Sequence, residues 1–400
     1  MSAGIIGGGA AGLAAACMLA RAGVAVTVYE KQSRVGRKLL STGNGRCNLT
    51  NMHMSPEHYA GDAKKVLSAF APEDAIAFFE TLGVACVPDA EGRVYPLGNM
   101  AAGVLDALRL GATEAGAELI CDFEVKDVTA QRRGFRLFSS DGRTAYADNV
   151  LIACGGLAAP KLGAGPDGYR LLQQLGHTLA PRFPAIAPIR VEPSAIRGLK
   201  GIRARGEIAL CANGRCIRSE AGELLFNEDN VSGICAMQLA GAVNAHRGEK
   251  LVLRINLLPN ADREAMLRRR TLLPERLLED FLSGLMPRRL GQVMLRTAEL
   301  VPMNRPAKDL TDAECMHLQN CLTSWTLPVT GTCGFDQAQV TLGGVRMREF
   351  GCDTMESNLH RGLFAAGEVL DVCGDCGGYN LHWAWATASL AAREIIRREK

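Results

Sequence analysis

The order of apolar and polar positions along the chain is typical of an α/β protein. An apolar N-terminal strand meets a glycine-rich turn, an alanine-rich helix follows, and Val26–Tyr29 forms a second strand. Apolar residues at helical spacing predict helices over Glu73–Leu82 and Met100–Gly116. Asn149–Ala153 and Leu363–Ala366 are almost wholly apolar, as expected for strands buried on both faces of a parallel sheet. The pattern therefore predicts a Rossmann-type α/β fold.

Between the helix predicted over Met100–Gly116 and the strand at residue 149, apolar and polar residues alternate over short segments. Asp141-Gly142 supplies a turn between two of them. We predict that these segments form a small antiparallel sheet inserted in the α/β domain: Glu118–Cys121, Glu124–Val128, Phe135–Phe138 and Thr144–Ala147.

The pattern changes near residue 183 and returns near residue 339. Prolines occur where the chain leaves the α/β domain. Short strand-like segments follow, and then several helical segments that are interrupted by prolines. We predict a discontinuous domain made of residues 1–185 and 336–400. The insertion comprises a β-rich domain at 186–258 and a helical segment at 259–335.

Composition narrows the class of protein. The 400 residues are 48% hydrophobic, which is ample for large cores, and the net charge of +3 is nearly balanced. The 14 cysteines are scattered, which favours reduced thiols and a cytoplasmic setting. No apolar run approaches the ~20 residues that span a bilayer, so we expect no membrane segment.

The N-terminal turn carries a dinucleotide-binding fingerprint. Gly7 permits a tight turn, Gly9 lets the backbone approach a pyrophosphate, and Gly12 lets the helix pack against the strand. The pyrophosphate would lie at the helix N-terminus, where free N–H groups favour negative charge. Glu30 ends the second strand, where a carboxylate accepts from a ribose hydroxyl. This favours FAD or NAD over NADP.

Two later turns are expected to converge on the same ligand. One follows the strand at residue 149 and contains Gly155, and the other contains Gly367-Glu368 near the C-terminus. In flavoproteins with this arrangement, such an acid meets the ribityl hydroxyls. A helix begins just afterwards, and the amides of Asn380 and Leu381 at its start would face the flavin pyrimidine edge.

Several motifs together resemble one family. Gly36–Asn51 resembles the hallmark of the bacterial FAD-dependent oxidoreductases labelled aminoacetone-oxidase-like or BaiN/RdsA. Gly92–Pro96, Val340–Val345 and Gly367–Trp385 are similar to further motifs of that family, in the same order. Two departures stand out. Asn227–Ile234 lacks a histidine and a proline found in many members, and His382 replaces a common glutamine.

The resemblance implies FAD bound in the discontinuous domain. Its FAD contacts would fall on Gly7, Gly9, Gly12, Glu30, Lys31, Arg37, Lys38, Asn44, Gly45, Val125, Gly155, Gly367, Glu368, Asn380 and Leu381. From pattern alone, the polar loop after Glu30 is either a source of donors for phosphate and flavin oxygens or a solvated surface loop.

Three side chains are candidates for supplying a proton. Arg46 is expected to lower the pKa of Cys47, although cysteines are more often packing residues. His382 either donates a proton or satisfies a backbone carbonyl, and Tyr379 is an alternative. Cys373 and Cys376 have redox-motif spacing, but disulfide reductases of this class carry their pair elsewhere. The pair lacks further ligands for zinc, so we predict no metal.

The sequence contains no second dinucleotide-binding motif. If NAD(P)H reduces the flavin, it must use the same face as the substrate, which predicts ping-pong kinetics. Basic residues are frequent from Arg190 to Arg218, which is typical of either a nucleic-acid surface or a solvated face.

These features lead to one functional hypothesis and three alternatives. We predict an NAD(P)H-driven reductase of a polarised C=C bond, and the resemblance extends to ribosomal RNA dihydrouridine synthases that act on uridine. The alternatives are an oxidase of a small amine or hydroxy compound, a steroid-type enone reductase, and a non-catalytic FAD protein that binds RNA or a partner. The oligomeric state stays open.

Overall fold

The computed structural model describes residues 1–399 and divides into two compact units. The first unit contains residues 1–183 and 339–399, and the second contains residues 184–338. The limits predicted from the sequence, 185/186 and 335/336, lie close to these positions.

The elements of the first unit up to its interruption are, in chain order, β1 (Ser2–Ile6), α1 (Ala10–Arg21), β2 (Ala25–Tyr29), β3 (Thr50–Asn51), β4 (Tyr59–Ala60), α2 (Lys64–Ala69), α3 (Pro72–Thr81), β5 (Cys86–Pro88), β6 (Arg93–Pro96), α4 (Ala101–Glu114), β7 (Glu118–Ile120), β8 (Val125–Ala130), β9 (Phe135–Ser139), β10 (Thr144–Ala147), β11 (Asn149–Ile152) and α5 (Asp167–Gln174). A short strand, β12 (Phe183–Ala185), spans the boundary.

The second unit contains β13 (Ile189–Val191), β14 (Arg203–Ala212), β15 (Arg215–Phe226), β16 (Asn230–Ser232), α6 (Ile234–Gln238), α7 (Ala240–Ala245), β17 (Leu251–Asn256), α8 (Ala265–Leu272), α9 (Arg288–Thr297), α10 (Asp312–Thr323) and β18 (Trp325–Thr332). The chain then returns to the first unit through β19 (Val340–Leu342), β20 (Leu363–Ala365), β21 (Cys373–Gly374) and α11 (Tyr379–Glu399).

A five-stranded parallel sheet forms the centre of the first unit, with the order β20-β11-β1-β2-β7. Ile6 of β1 aligns with Ile152 of β11, and Ile152 aligns with Ala365 of β20. The carboxyl ends of these three strands therefore meet at one sheet edge, where α/β proteins bind ligands. The sheet confirms the predicted Rossmann-type class.

One strand does not join the sheet predicted for it. Glu118–Ile120 was expected in the small antiparallel sheet, but β7 is the parallel edge strand beside β2. The reason is the helix α4, which precedes β7 and supplies the crossover that a parallel neighbour requires. The other three segments form the antiparallel sheet β10-β9-β8.

The core of the second unit is a closed six-stranded barrel with the order β13-β16-β15-β14-β17-β18. Strand β18 lies inside the segment predicted as helical, and it closes the barrel by pairing with β17 and β13. Trp325 of β18 packs against Phe226 of β15, with ring centroids 5.5 Å apart. Helices α8 to α10 share this hydrophobic core, so the structure shows one unit where the sequence suggests a boundary near residue 258.

Across residues 1–399, every helix is too short or too polar to cross a membrane.

Candidate functional site

The turn between β1 and α1 is shaped by close backbone contacts that only glycine permits. A Cβ atom on Gly12 would lie 2.0 Å from the Gly7 carbonyl oxygen, and one on Gly7 would lie 2.6 Å from that of Ala153. Gly7 also has φ +108°, which disfavours other residues. A Cβ atom on Gly9, by contrast, would meet no heavy atom within 4 Å. Gly9 therefore faces open space at the N-terminus of α1, as a pyrophosphate-binding turn requires.

Glu30 is held in place at the end of β2. Its Oε2 accepts from the Gly8 amide at 2.8 Å, and its Oε1 accepts from the Gln32 amide at 2.8 Å. An ionised carboxylate has roughly four acceptor positions, so two backbone donors leave capacity for ribose hydroxyls. The glycine turn and the Glu30 carboxylate thus form one hydrogen-bonded assembly.

The turns after β11 and β20 lie against each other. A Cβ atom on Gly156 would lie 2.5 Å from Oε1 of Glu368 and 2.5 Å from Oγ1 of Thr341. Glu368 Oε1 accepts from the Thr341 amide at 2.9 Å. Gly155 and Gly367 both have positive φ, and a Cβ atom on Gly155 would meet nothing within 4 Å. The sheet edge therefore offers a second open backbone face, with the Glu368 carboxylate beside it.

Two of the cations after Glu30 are paired with acids. Lys38 donates to Glu368 Oε2 at 2.7 Å, and Lys31 donates to Asp167 Oδ2 at 2.6 Å. Arg37 hydrogen-bonds the Gln32 side chain and the backbone carbonyl of residue 161. These three side chains lie on the same side of the unit as Glu30 and Glu368.

The remaining predicted cofactor contacts take two forms. Asn44 and Gly45 lie in a 3₁₀ turn over Leu39–Gly45 with φ +57° and +83°, so their peptide groups are fixed in a left-handed conformation. Val125 begins β8 and its side chain is buried, which leaves its backbone as the group able to meet a ligand.

The N-terminus of α11 carries amides that precede its first helical hydrogen bond. That bond runs from the His382 amide to the Gly378 carbonyl at 3.0 Å, so the amides of Asn380 and Leu381 come before it. The Asn380 side chain braces the preceding loop: it accepts from the Gly374 amide at 2.9 Å and donates to its carbonyl at 2.7 Å.

A buried polar atom without a partner lies at the same helix end. Asn48 is 8% exposed, and its Oδ1 has no hydrogen-bond partner within the described chain. A Cβ atom on Gly378 would lie 2.8 Å from this oxygen. Burying such an atom unpaired is costly, so Asn48 fits a site whose ligand supplies the missing partner. The open glycines, the two carboxylates, the two helix N-termini and Asn48 together fit FAD.

Burial removes two cysteines from consideration as nucleophiles. Cys47 is fully buried, and burial raises its pKa to about 12. The expected lowering by Arg46 is not found, because that guanidinium lies over the Tyr95 ring, 4.6 Å from its centroid. Burial likewise raises the pKa of Cys373 to about 12. At neutral pH both are thiols, and thiolates are the reactive form.

His382 occupies a position that fits a structural role rather than proton transfer. Its side chain is fully buried, its Nδ1 lies 2.8 Å from Thr50 Oγ1, and its Nε2 lies 3.1 Å from the Phe70 carbonyl oxygen. Burial lowers its pKa to about 4, so the ring is neutral at pH 7. We infer that His382 connects α11 to the segments before it.

Beside Tyr379 lie two side chains, His58 and Asp375, that the sequence pattern does not indicate as site residues. The Tyr379 ring is 6% exposed and stacks on the His58 ring, with centroids 4.4 Å apart. His58 Nδ1 lies 3.4 Å from Asp375 Oδ2, and its carbonyl accepts from the Asp375 amide at 2.8 Å. The His58 side chain is 38% exposed. Pairing of β4 with β21 brings these residues together beside the N-terminus of α11.

No group of three or more His, Cys, Asp or Glu side chains suited to a metal ion occurs among residues 1–399.

The sheet edge, its glycine turns and its carboxylates define the class: the protein is an FAD-dependent oxidoreductase. The chain belongs to the HI0933-like protein Rossmann domain family, which matches residues 1–394. This confirms the resemblance drawn from the motifs.

Two full-length relatives and one solved structure bear on this class. The 3-dehydro-bile acid delta(4,6)-reductase of Clostridium scindens is 35% identical over 99% of each chain. The ribosomal RNA dihydrouridine synthase of Escherichia coli is 31% identical over 98% of this chain and 97% of its own. The 3-ketosteroid delta1-dehydrogenase of Sterolibacterium denitrificans, solved with 1,4-androstadiene-3,17-dione, is 13% identical over 99% of each chain, and its TM-score of 0.51 shows a shared fold.

The open space at Gly9 predicts a variant that folds but does not bind FAD. Gly9→Ala places a methyl group where nothing in the protein is disturbed, so the apoprotein should keep its free energy of unfolding. The same methyl group would occupy the pyrophosphate position, and FAD affinity should fall on the order of 100-fold or more. Titration of apoprotein with FAD measures this loss. Gly103→Ala, also in open space but on the exposed face of α4, should bind FAD normally.

The buried His382 predicts a specific dependence of stability on pH. Its pKa is about 4 in the folded protein and near 6.5 when unfolded, so the unfolded state takes up the proton first as pH falls. This group should therefore lower the free energy of unfolding between pH 6.5 and pH 4, by about 2 kcal/mol at pH 5.

Denaturant unfolding of wild type and His382→Gln at pH 7 and pH 5 measures this contribution. The glutamine retains a donor and an acceptor for Thr50 and Phe70 but does not titrate, so the variant should lose less stability at pH 5. The exposed His317→Gln should behave like wild type. Equal pH dependence in all three proteins would contradict the assignment.

Proposed function

We propose that this protein reduces a C=C bond conjugated to a carbonyl group, using NAD(P)H as the electron source. The observation that carries this proposal is the pair of full-length relatives named as a bile acid delta(4,6)-reductase and a dihydrouridine synthase. The two named reactions share one chemistry, since hydride adds to the alkene carbon distant from the carbonyl and a proton adds to its neighbour. Bound FAD, once reduced by NAD(P)H, would supply the hydride in such a reaction.

The substrate we propose is a uridine of ribosomal RNA. Support comes from the dihydrouridine synthase relative and from the basic residues that begin at Arg190. The charge in this region is partly balanced, because Lys200 pairs with Glu228 at 2.6 Å and Arg203 with Glu223 at 2.8 Å. The case for RNA therefore depends more on the relative than on the electrostatic field.

A second candidate is a small steroid-like enone. The higher identity to the bile acid reductase, 35% against 31%, favours it. An enone needs no phosphate-binding surface, and the ion pairs at Lys200 and Arg203 are consistent with that.

Within residues 1–399, the parallel sheet of the first unit has the one edge that could bind a dinucleotide such as NAD(P)H. The second unit is a barrel and offers no parallel sheet with a glycine turn. The nicotinamide and the substrate would therefore use the same face in turn, and we expect ping-pong kinetics.

Two measurements test this function. Anaerobic NADPH or NADH should bleach the flavin absorbance of the holoenzyme, and an unsaturated carbonyl substrate should restore it without oxygen. Ribosomal RNA from cells with and without the gene should differ at one dihydrouridine site. Restoration by a steroid enone with an unchanged RNA map would favour the second candidate. Peroxide release with an amine would indicate an oxidase, and no redox response at all would indicate a binding protein.

We further propose that His58 supplies the proton in this reaction, with Asp375 orienting it. The imidazole stays in contact with solvent, is hydrogen-bonded through Nδ1 to a carboxylate, and lies against the first residue of α11. A histidine held in this way can be reprotonated from water between turnovers. His382, fully buried and bonded at both nitrogens, lacks that access.

Rapid mixing of the His58→Gln variant tests the assignment. Flavin reduction by NAD(P)H should be unchanged, while reoxidation by the unsaturated substrate should slow by about 10²- to 10⁴-fold, the usual contribution of a general acid. His246→Gln is a matched control, because His246 also lies 3.4 Å from a carboxylate, that of Glu249 in the second unit. Unchanged reoxidation in His58→Gln would remove His58 from the mechanism.

A further inference from the structure

The tip of the hairpin formed by β14 and β15 brings two cysteines opposite each other. Asn213 and Gly214 form the connecting turn, with φ +50° and +83°, as in the type I′ turns that favour Asn-Gly. Ala212 pairs with Arg215 across the turn, and Cys211 is the partner of Cys216 in the next position. The two side chains are therefore cross-strand neighbours, which lie on the same face of a sheet.

The backbone geometry of this position suits a disulfide. Residues that flank a two-residue turn form the hydrogen-bonded pair, and the Cys211–Cys216 pair comes next, where the register of β14 and β15 shifts between Leu210 and Cys211. In a regular ladder this would be a non-hydrogen-bonded pair, with Cα atoms about 4.5 Å apart. Disulfides span Cα separations of about 4.4 to 6.8 Å. Burial raises the pKa of the Cys211 thiol, the charge of Arg254 lowers it, and the neighbouring Cys216 raises it further.

Cys216 is also the most accessible thiol of the chain. All 14 cysteines lie within residues 1–399, and Cys216 is the one classed as exposed. It borders a cavity of about 700 Å³, which Arg254 and Ser219 also line. Glu207 and Glu220 face the same cavity. An exposed thiol backed by a second thiol is the arrangement found at oxidation-sensitive cysteines.

We propose that Cys211 and Cys216 form a reversible disulfide when the protein meets a peroxide. The Cys216 thiolate attacks one oxygen of hydrogen peroxide, which gives a sulfenic acid and, with one proton, a first water molecule. The Cys211 thiol then attacks that sulfur, the S–S bond forms, and a second water molecule leaves. Two thiols lose two electrons and two protons in total, and the peroxide becomes two waters. An external dithiol reverses the step.

This disulfide would change the oxidation state of the two cysteines but add little to the stability of the fold. It encloses only residues 211–216, which the Asn213-Gly214 turn already holds together, so it removes little freedom from the unfolded chain. We expect the melting temperature of the oxidised protein to match that of the reduced protein within a few degrees.

Peptide mapping of the FAD-loaded, full-length protein tests the proposal. After hydrogen peroxide treatment and alkylation of remaining thiols, trypsin cleaves after Arg205, Arg215 and Arg218. The disulfide therefore joins two separate peptides, residues 206–215 and 216–218, whose combined mass is two hydrogens below the sum of the reduced pair. Dithiothreitol should abolish this species.

Cys211→Ser and Cys216→Ser should both abolish the linked species, while retaining the flavin spectrum and melting temperature of wild type. Cys321→Ser is a matched control, since it removes a partly buried thiol of the same unit and should leave the link intact. The proposal fails if peroxide leaves both cysteines open to alkylation. It also fails if Cys216 proceeds to sulfinic acid or pairs with another thiol without the 206–215 link.

Discussion

The site depends on how closely the backbone of α1 approaches β1. The Gly12 position lies so near the Gly7 carbonyl that a Cβ atom would be 2.0 Å from the oxygen, and a Cβ atom on Gly7 would lie 2.6 Å from the Ala153 carbonyl oxygen. This contact fixes the direction of α1 and leaves its N-terminus open at Gly9. The Gly7 amide donates to the Tyr29 carbonyl, and the Gly8 amide donates to Glu30, so the same contact also positions the end of β2. A larger side chain at either glycine would displace the turn, the acid and the helix together.

Helix α11 connects the other parts of the site. Its indoles are buried, and each donates a hydrogen bond: Trp383 to the Gly367 carbonyl at 3.2 Å and Trp385 to the Leu49 carbonyl at 2.9 Å. Thr387 accepts from the Gly367 amide at 2.9 Å. The body of one helix thus anchors the turn that carries Glu368 and the loop that carries Asn48, while its N-terminus remains available. Displacement of α11 would move three groups of the site at once, which explains why the helix is so deeply buried.

The sequence pattern predicts those parts of the fold that depend on interactions between neighbouring residues. The glycine turn, Glu30 and the apolar strands are visible in the sequence because each depends on a few adjacent residues. The edge position of β7 and the closure of the barrel by β18 depend on pairing between distant segments, which hydrophobic spacing does not encode. The pair of His58 and Asp375 is the extreme case. The two residues are 317 positions apart, and they meet through the strands Tyr59–Ala60 and Cys373–Gly374, which are too short to show any alternation.

The contrast between two histidines shows why proximity in sequence to a cofactor motif is a poor guide to chemistry. His382 directly follows the turn that is predicted to face the flavin, yet with a pKa of about 4 only about one ring in 10³ is protonated at pH 7. So small a protonated fraction of His382 would offset any advantage of its position beside the predicted cofactor site. Its nitrogens are in any case committed to Thr50 and Phe70, which places the ring in the protein interior. No sequence motif indicates His58, but its side chain combines solvent contact with a carboxylate partner. The capacity to move a proton therefore depends on burial and partners, which are properties of the folded chain.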